Sequence, residues 1–202
     1  MKAILFDMNG VLTDSFNPWW AAFNETLERF GKKKISKREY REKYWGPDEK
    51  SILEKFGLGD DALDYLKSRY LSHIKEVRIF PETKKILKSL NKKFKLALVS
   101  NTTSELVHKT LEYFDLKKYF DVIVTVDDVK KGKPGPEMII KACESLDVDR
   151  RDVIIVGDTM NDVLAGKSAG CVVVGLNTES DFKIKRLSDL TKFVEQTIKN
   201  KD

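Results

Sequence analysis

The sequence predicts an α/β fold: a doubly wound, Rossmann-like parallel sheet core with an inserted helical cap domain. Short aliphatic runs alternate with amphipathic segments along most of the chain. Each run is apolar at nearly every position, which is typical of parallel strands buried on both faces. One long interval near the start has helical periodicity and no strand pattern, and this interval predicts the insertion. A chain of 202 residues can form one core with a smaller inserted unit.

Five aliphatic runs are predicted as the strands of the sheet. In chain order they are KAILF at 2–6, FKLALVS at 94–100, FDVIVTV at 120–126, DVIIVG at 152–157 and CVVVGL at 171–176. The predicted helices of the core lie between and after them, at 82–93, 103–114, 136–146, 160–170 and 187–200. Strands and helices that alternate in this order indicate a doubly wound sheet.

Residues 15–79 are predicted as a helical cap domain. Helical periodicity appears in four segments, at 17–31, 36–46, 48–57 and 60–76, with glycines at or near their ends that suit breaks or caps. The core domain then comprises residues 1–14 and 80–202. We expect the two crossings between these domains to act as hinges.

The composition is that of a soluble globular protein, with 41% apolar and 34% charged residues. No apolar run approaches the roughly 18 residues of a membrane span, and the start of the chain lacks the pattern of a secretory signal. We therefore expect a cytoplasmic protein without a membrane partner. The net charge of +5 is spread along the chain, which favours a solvated surface over nucleic-acid binding and is compatible with mild attraction of anionic substrates. Cys143 and Cys171 are interpreted as packing residues.

Polar residues cluster where predicted strands end, which is where open parallel sheets bind ligands. The four groups are DMNG at 7–10, SNTT at 100–103, KPGP at 133–136 and GDTMND at 157–162. Each group alone has a structural explanation, such as a helix N-cap or an exposed loop lysine. Their coincidence in one chain favours a functional site.

In order and spacing, the stretches FDMNGVLTDS, LVSNTTS, KGKPGPE and VGDTMNDVLAGKSAG closely resemble the four motifs of the haloacid dehalogenase-like hydrolases, in their phosphatase branch. The resemblance covers the whole chain. The helical insertion resembles the cap of the subgroup that includes phosphoglycolate phosphatase-like enzymes and β-phosphoglucomutase. This resemblance implies a Mg²⁺-dependent phosphatase acting on a small phosphorylated metabolite.

The resemblance also implies roles for the acidic residues. Asp7 would be the nucleophile that forms an aspartyl-phosphate, which water then hydrolyses. Mg²⁺ would be held by Asp7, the backbone carbonyl of Asn9 and Asp158, and it would compensate the negative charge of the phosphoryl group. Asp162 belongs to the same metal site and would support it more than ligate the ion directly.

Four residues are implied to bind the phosphoryl group. Ser100 would donate its hydroxyl to a phosphate oxygen, and the amide of Asn101 together with the helix start beyond it favours an anion. Gly10 in the first loop is a further substrate-binding residue. Lys133 would supply a compact positive charge to the phosphoryl group and to Asp7.

Asn9 departs from the pattern, because the phosphatase branch normally has Asp at this position to protonate the leaving alkoxide and then activate water. An amide has no acidic proton to give at neutral pH. Three explanations are open: an engineered substitution, a natural departure with weak or altered activity, and a member that binds phosphorylated ligands with little turnover. The otherwise intact motif set favours an engineered or recently arisen change.

Other chemistries of the family are weighed against the phosphatase. Dehalogenases and phosphonatases also lack this Asp, but GDTMND and Gly10 argue against a dehalogenase, and no cap lysine is identifiable as a Schiff-base former. Phosphoglucomutase-like transfer uses the same core residues and stays an alternative. Among the cap aromatics, Trp19, Trp20 and Trp45 are the candidates to face the cleft, whereas Phe23 and Tyr44 are interpreted as packing residues.

Overall fold

The computed structural model describes residues 1–199 and contains, within them, eight strands and nine α-helices. The strands are β1 (Ala3–Phe6), β2 (Thr13–Asp14), β3 (Arg78–Ile79), β4 (Lys95–Ser100), β5 (Val122–Thr125), β6 (Val153–Gly157), β7 (Val172–Leu176) and β8 (Phe182–Ile184). The helices are α1 (Phe16–Arg29), α2 (Lys37–Lys43), α3 (Glu49–Glu54), α4 (Asp60–Ser72), α5 (Thr83–Leu90), α6 (Ser104–Tyr113), α7 (Glu137–Leu146), α8 (Met160–Ala169) and α9 (Asp189–Lys199). Residue 200, the last of the predicted terminal helix, lies outside the described residues.

Six strands form one parallel sheet in the order β5-β4-β1-β6-β7-β8. From β1 the chain builds β4 and β5 on one side and then crosses to build β6, β7 and β8 on the other. The strand order therefore reverses beside β1, which is where doubly wound sheets bind ligands. The predicted α/β class and all five predicted strands are confirmed. Sequence analysis missed β8, because a three-residue strand with two exposed positions carries no continuous apolar run.

The sheet is covered on both faces, and alternate residues of each central strand enter different apolar clusters. Ile4 packs in the cluster formed with α5, α6 and α9, whereas Leu5 packs in the cluster formed with α7 and α8. Cys143 and Cys171 are both buried in the second cluster, as packing residues. Burial on both faces explains why the strands read as continuous apolar runs.

The four helices between β2 and β3 share an apolar cluster of their own, in which α1 packs against α4. Ser36 is the N-cap of α2 and Asp48 that of α3, and each side chain accepts a hydrogen bond from a backbone N–H of the first turn. Leu106 of α6 also belongs to this cluster, so the four helices rest on the core through α6. The four predicted cap helices are present. The division of the chain at residues 14 and 80 stays a prediction.

A short antiparallel ribbon lies at the two crossings. Strand β2 pairs with β3, and Thr13 is opposite Ile79 while Asp14 is opposite Arg78. No strand was expected in this interval, because two-residue strands are too short to show alternation. The ribbon holds both crossings side by side. Within residues 1–199, no helix is long and apolar enough to cross a bilayer.

Candidate active site

Asp7 follows β1 directly, at the centre of the sheet. Its backbone N–H donates to Val156 O of the neighbouring β6 at 2.9 Å, and only 7% of the residue is exposed. Ser100 ends β4 on one side of β1, and Asp158 follows β6 on the other. The parallel register therefore brings three of the predicted site residues to one edge of the sheet.

Three carboxylates meet at this edge. One oxygen each from Asp7, Asp158 and Asp162 lies within 4.8 Å of the others. Burial, together with the charges of the other two carboxylates, raises the pKa of Asp158 to about 8. Burial likewise raises the pKa of Asp7 to about 6, against the opposing effect of Lys133. The protein's own positive charge therefore does not balance the negative charge of the three carboxylates.

The donor set fits a hard divalent cation such as Mg²⁺. The ligating atoms offered by the cluster are all oxygens. Within the described residues, Asp158 Oδ1 is buried without a hydrogen-bond partner, which leaves it free to ligate. Asp158 Oδ2 accepts a hydrogen bond from Trp45 Nε1 at 3.1 Å.

Gly10 makes room for this carboxylate. Its φ of +86° lies in the left-handed region that favours glycine, and a Cβ at this position would collide with the Asp158 carboxylate. The loop after β1 thus brings its backbone against Asp158. The predicted substrate-binding residue Gly10 lies beside the acidic cluster.

Lys133 is the counter-charge within the cluster. Its Nζ donates to Asp7 Oδ1 at 2.7 Å, to Asp162 Oδ1 at 2.6 Å and to Val99 O at 2.9 Å. Burial opposes the charge of the ammonium, but the adjacent carboxylates of Asp162 and Asp7 outweigh burial and raise the pKa of Lys133. The ammonium stays charged and is fixed by all three of its donors.

Asp162 holds Lys133 in place from the first turn of α8. Its Oδ2 accepts from the backbone N–H of Thr159 at 3.1 Å and from the Thr159 hydroxyl at 2.6 Å, while Oδ1 accepts from Lys133. This arrangement is a capping box, which stabilises the start of the helix. Both oxygens of Asp162 already accept hydrogen bonds, which fits a supporting part in the metal site.

Asn9 is held at both ends of its amide. Nδ2 donates to Thr102 Oγ1 at 3.0 Å, and Oδ1 accepts from Ser15 Oγ at 2.7 Å and from Trp19 Nε1 at 3.4 Å. The Trp19 N–H can only donate, so it fixes which end of the amide is the oxygen. Ser15 and Trp19 begin the four-helix insertion, whereas Thr102 belongs to the core. The side chain of Asn9 therefore contacts both the core and the four-helix insertion.

Ser100 and Asn101 lie at the end of β4. Ser100 is 1% exposed and lines the cleft, where its Oγ accepts from the Thr102 backbone N–H at 3.3 Å. The Asn101 side chain donates to Lys133 O and to Gly46 O, both at 2.8 Å, and accepts from the Lys133 N–H at 2.8 Å. The side chain of Asn101 therefore positions the lysine loop and joins it to the insertion.

Comparison with known proteins identifies the family. The family model described as haloacid dehalogenase-like hydrolase matches residues 4–176. The chain belongs to the haloacid dehalogenase-like hydrolase family. It is 34% identical to a phosphoglycolate phosphatase of Aquifex aeolicus, over 98% of this chain and 99% of the relative. It is 32% identical to the pyrophosphatase PpaX of Halalkalibacterium halodurans, over 84% of this chain and 80% of the relative.

A solved structure shares the whole fold. CbbY from Rhodobacter sphaeroides, in complex with phosphate, matches the hydrolase with a TM-score of 0.83 at 24% identity. The match covers 94% of this chain and 96% of that one. The likeness extends over both the sheet and the four-helix insertion, so the two proteins share the described architecture.

The four-helix insertion of the hydrolase supplies one wall of the cleft. Trp19 and Trp45, two of the three tryptophans expected there, line it. Trp20 does not appear among the lining residues, since its Nε1 donates to Ile35 O at 3.0 Å inside the insertion. Tyr44 packs against Phe23 and Phe56, as its interpretation as a packing residue expects, and it also lines the cleft. Phe23 packs in the interior as expected, 1% exposed.

Glu49 is a cleft residue that sequence analysis missed. It is the first residue of α3, is 6% exposed and lines the cleft with Asn9 and Thr102. Burial raises the pKa of its carboxyl to about 8. In the sequence, Glu49 lies in the charged run DEK, which resembles the solvated start of a helix, so no signal singled it out.

Proposed function

We propose that the hydrolase is a Mg²⁺-dependent phosphatase that hydrolyses a small phosphorylated metabolite through an aspartyl-phosphate on Asp7. The observation that carries this proposal is the setting of Asp7, a buried carboxylate at the end of the central strand, 2.7 Å from Lys133 Nζ. The acidic cluster around it supports the metal requirement. The names of the relatives, a phosphoglycolate phosphatase and a pyrophosphatase, support the substrate class.

The reaction proceeds in two displacements at phosphorus. A carboxylate oxygen of Asp7 forms a bond to phosphorus, and the ester P–O bond breaks, with its electron pair going to the leaving oxygen, which takes up a proton. Water then attacks phosphorus, the bond to Asp7 breaks, and inorganic phosphate leaves. The balance is one phosphomonoester and one water converted to one alcohol and one phosphate.

The residues of the core orient these steps. Lys133 fixes the Asp7 carboxylate and supplies positive charge beside the phosphoryl group. The Ser100 hydroxyl donates to a phosphoryl oxygen. Asp7, Asp158 and the Asn9 backbone carbonyl would hold Mg²⁺, which when bound neutralises phosphoryl charge. Asp162 keeps Lys133 in place, and Gly10 brings the first loop against the site.

Asn9 stands where a proton donor is needed, and its amide cannot supply one. We propose that the first step consequently depends on the leaving group, and that hydrolysis of the aspartyl-phosphate is slow. The same residue favours a second candidate function, a phospho-ligand-binding protein with little turnover. A substitution that arose recently or by engineering in an otherwise complete site remains our preferred origin for Asn9.

We also propose that residues 15–79 act as a cap that closes over the core, with the ribbon of β2 and β3 as the hinge. Two contacts across the cleft support this. Trp45 Nε1 donates to Asp158 Oδ2 at 3.1 Å, and Asn101 Nδ2 donates to Gly46 O at 2.8 Å. Both contacts come from one loop of the insertion and reach residues of the active site.

The proposal is tested by hydrolysis of a panel of phosphorylated metabolites, with Mg²⁺ and with chelator. We expect one class of substrates to be hydrolysed far above the others, and chelator to abolish the activity. Asp7→Asn is the matched control, since it keeps the shape of the side chain and removes the nucleophile. Hydrolysis that survives chelator or this substitution would overturn the mechanism. Tight Mg²⁺-dependent binding without turnover would select the binding protein.

A further inference from the structure

We infer that the cleft selects phosphomonoesters whose leaving group is uncharged and carries hydroxyl groups, and that Glu49 is the residue that sets this selection. The inference rests on the proposed phosphatase function and adds the class of its substrate. It is carried by the charges that line the cleft and by one unpartnered carboxyl oxygen.

The positive charge that lines the cleft is already paired with carboxylates. Among the described lining residues, Lys133 is the only cation, and its three donors are occupied by Asp7, Asp162 and Val99. Lys133 and one divalent cation together face the three carboxylates of the cluster as well as the dianionic phosphoryl group, so no positive charge remains for a further anion. A second anionic group on the leaving side would be buried without a counter-charge, which is strongly unfavourable.

Glu49 presents a free polar atom in this setting. Its Oε2 is buried and has no hydrogen-bond partner within the described residues, although the side chain lines the cleft. Buried polar atoms are nearly always paired, so an unpaired oxygen on a residue that lines the cleft indicates a ligand. A substrate hydroxyl would supply the missing partner.

The groups that face Glu49 are acids or phenols. Asp48 lies beside it on the chain, Asp127 approaches from the loop after β5, and Tyr40 and Tyr70 approach from α2 and α4. Burial, together with the charges of Asp48 and Asp127, raises the pKa of the Glu49 carboxyl to about 8 against the opposing effect of its hydrogen bonding, so the carboxyl is mostly protonated at neutral pH. A protonated carboxyl donates a hydrogen bond to a hydroxyl oxygen and does not repel the phosphoryl group.

A chain of polar groups places Glu49 on the leaving-group side. Asn9, which occupies the position for proton transfer to the leaving oxygen, donates to Thr102 Oγ1. The hydroxyl of Thr102 therefore keeps its own proton available, and Thr102 lines the cleft together with Glu49. Trp19, Tyr44 and other aromatic side chains form the remaining wall, and their flat faces suit the C–H surface of a polyol.

The test uses two substrates that differ only at the far end of the leaving group, 2-hydroxyethyl phosphate and 2-phosphoglycolate. We expect kcat/KM to be at least about tenfold higher for 2-hydroxyethyl phosphate. Glu49→Met keeps roughly the length of the side chain, removes both carboxyl oxygens and should lower this kcat/KM by roughly five- to tenfold, mainly through KM, as the loss of one good hydrogen bond predicts. Glu49→Lys adds a cation and should reverse the preference.

Glu54→Met is the matched control, because Glu54 lies on the same short helix, is exposed and does not line the cleft. It should leave both substrates unchanged. A preference of the unmodified enzyme for 2-phosphoglycolate, or an unchanged substrate ratio in Glu49→Met, overturns the inference. Hydrolysis of 4-nitrophenyl phosphate separates the two proposals, since it tests the phosphatase chemistry without a hydroxyl or second anion. If nothing is hydrolysed, calorimetric binding of the same two compounds in the presence of Mg²⁺ decides the selection.

Discussion

Asn9→Asp is the substitution that tests the proposed chemistry most directly. It exchanges one amide nitrogen for oxygen and adds a group that can donate and accept a proton at the leaving oxygen. The donors that now reach Asn9 Oδ1, Ser15 Oγ and Trp19 Nε1, can donate equally well to a carboxylate. The new side chain therefore fits the existing contacts on that side.

The contact with Thr102 must change, and it sets the size of the opposing effect. Asn9 Nδ2 now donates to Thr102 Oγ1 at 3.0 Å, whereas a carboxylate oxygen there would require the hydroxyl to turn and donate. Rearranging this one hydrogen bond costs about 1 kcal/mol, or about fivefold in rate. A positioned general acid and base supplies about 10²- to 10⁴-fold. We therefore expect a net gain in alkyl phosphate turnover of at least about tenfold.

The gain should depend on the leaving group. An alkoxide needs its proton in the transition state, whereas 4-nitrophenoxide leaves nearly unaided, so the first step with 4-nitrophenyl phosphate should improve less. Because Asn9 also lacks a base for the second step, the unmodified protein should show a burst of phosphate on Asp7 followed by slow turnover with the activated ester. Rapid-quench measurements on both proteins separate the two steps.

Deamidation provides the necessary control. Asn9 precedes Gly10, and an Asn-Gly pair is liable to conversion, so a small activity that grows with storage would come from converted molecules. Mass spectrometry of the peptide measures this fraction. If Asn9→Asp folds and binds Mg²⁺ but leaves alkyl phosphate turnover unchanged across a metabolite panel, position 9 is not the proton donor, and the phosphatase proposal loses its main chemical argument.

Four further substitutions test the site. Asp7→Asn should abolish acid-stable labelling by a phosphorylated substrate, and retained label would reassign the nucleophile. Asp158→Asn should abolish the rise in Tm on adding Mg²⁺, because it removes an anionic ligand; an unchanged metal titration would remove Asp158 from the ligands. Lys133→Met should cost about 3–5 kcal/mol in urea unfolding, because it leaves the carboxylates of Asp7 and Asp162 without their partner; a loss under about 1 kcal/mol would contradict the pairing. The pKa of Glu49 is raised from 4.5 to about 8, so the native state holds this proton more tightly than the unfolded state, and stability should fall as pH rises from about 4.5 to about 8. Glu49→Gln should flatten that fall. An identical pH dependence of Tm in the unmodified protein and the variant would contradict this prediction.

The elements of the fold that could be predicted are those whose environment produces a clear residue pattern along the sequence. Strand β1 is apolar throughout because Ala3 and Leu5 meet one helical layer while Ile4 and Phe6 meet the other. The ribbon of β2 and β3 and the edge strand β8 could not be predicted, since two or three residues do not establish a period. Their pairing is decided by the elements they join.

The candidate site likewise has residues that could be predicted from the sequence and residues that could not. Asp7, Asp158 and Lys133 could be predicted because the ends of neighbouring parallel strands and their following loops must meet at one edge. The inner face of the insertion could not, because α2 and α3 have only seven and six residues and show no clear apolar face. Which of Trp20, Tyr44 and Glu49 reaches the cleft depends on how these short helices pack, and packing has no local signal.

Asn9 connects the core with the four-helix insertion, and its amide changes the hydrogen bonds that join them. Its Nδ2 donates to Thr102 of the core while its Oδ1 accepts from Ser15 and Trp19 of the insertion, and an amide keeps both contacts at every pH. A carboxyl at the same position would donate to Thr102 only when protonated and would accept from all three only when ionised. The proton that such a group transfers to a leaving alkoxide would therefore also alter the contacts between core and insertion. With Asn9, the contacts between core and insertion do not change with a proton transfer during the reaction. The arrangement around a bound phosphorylated ligand should therefore persist independently of turnover, as a long-lived bound state requires.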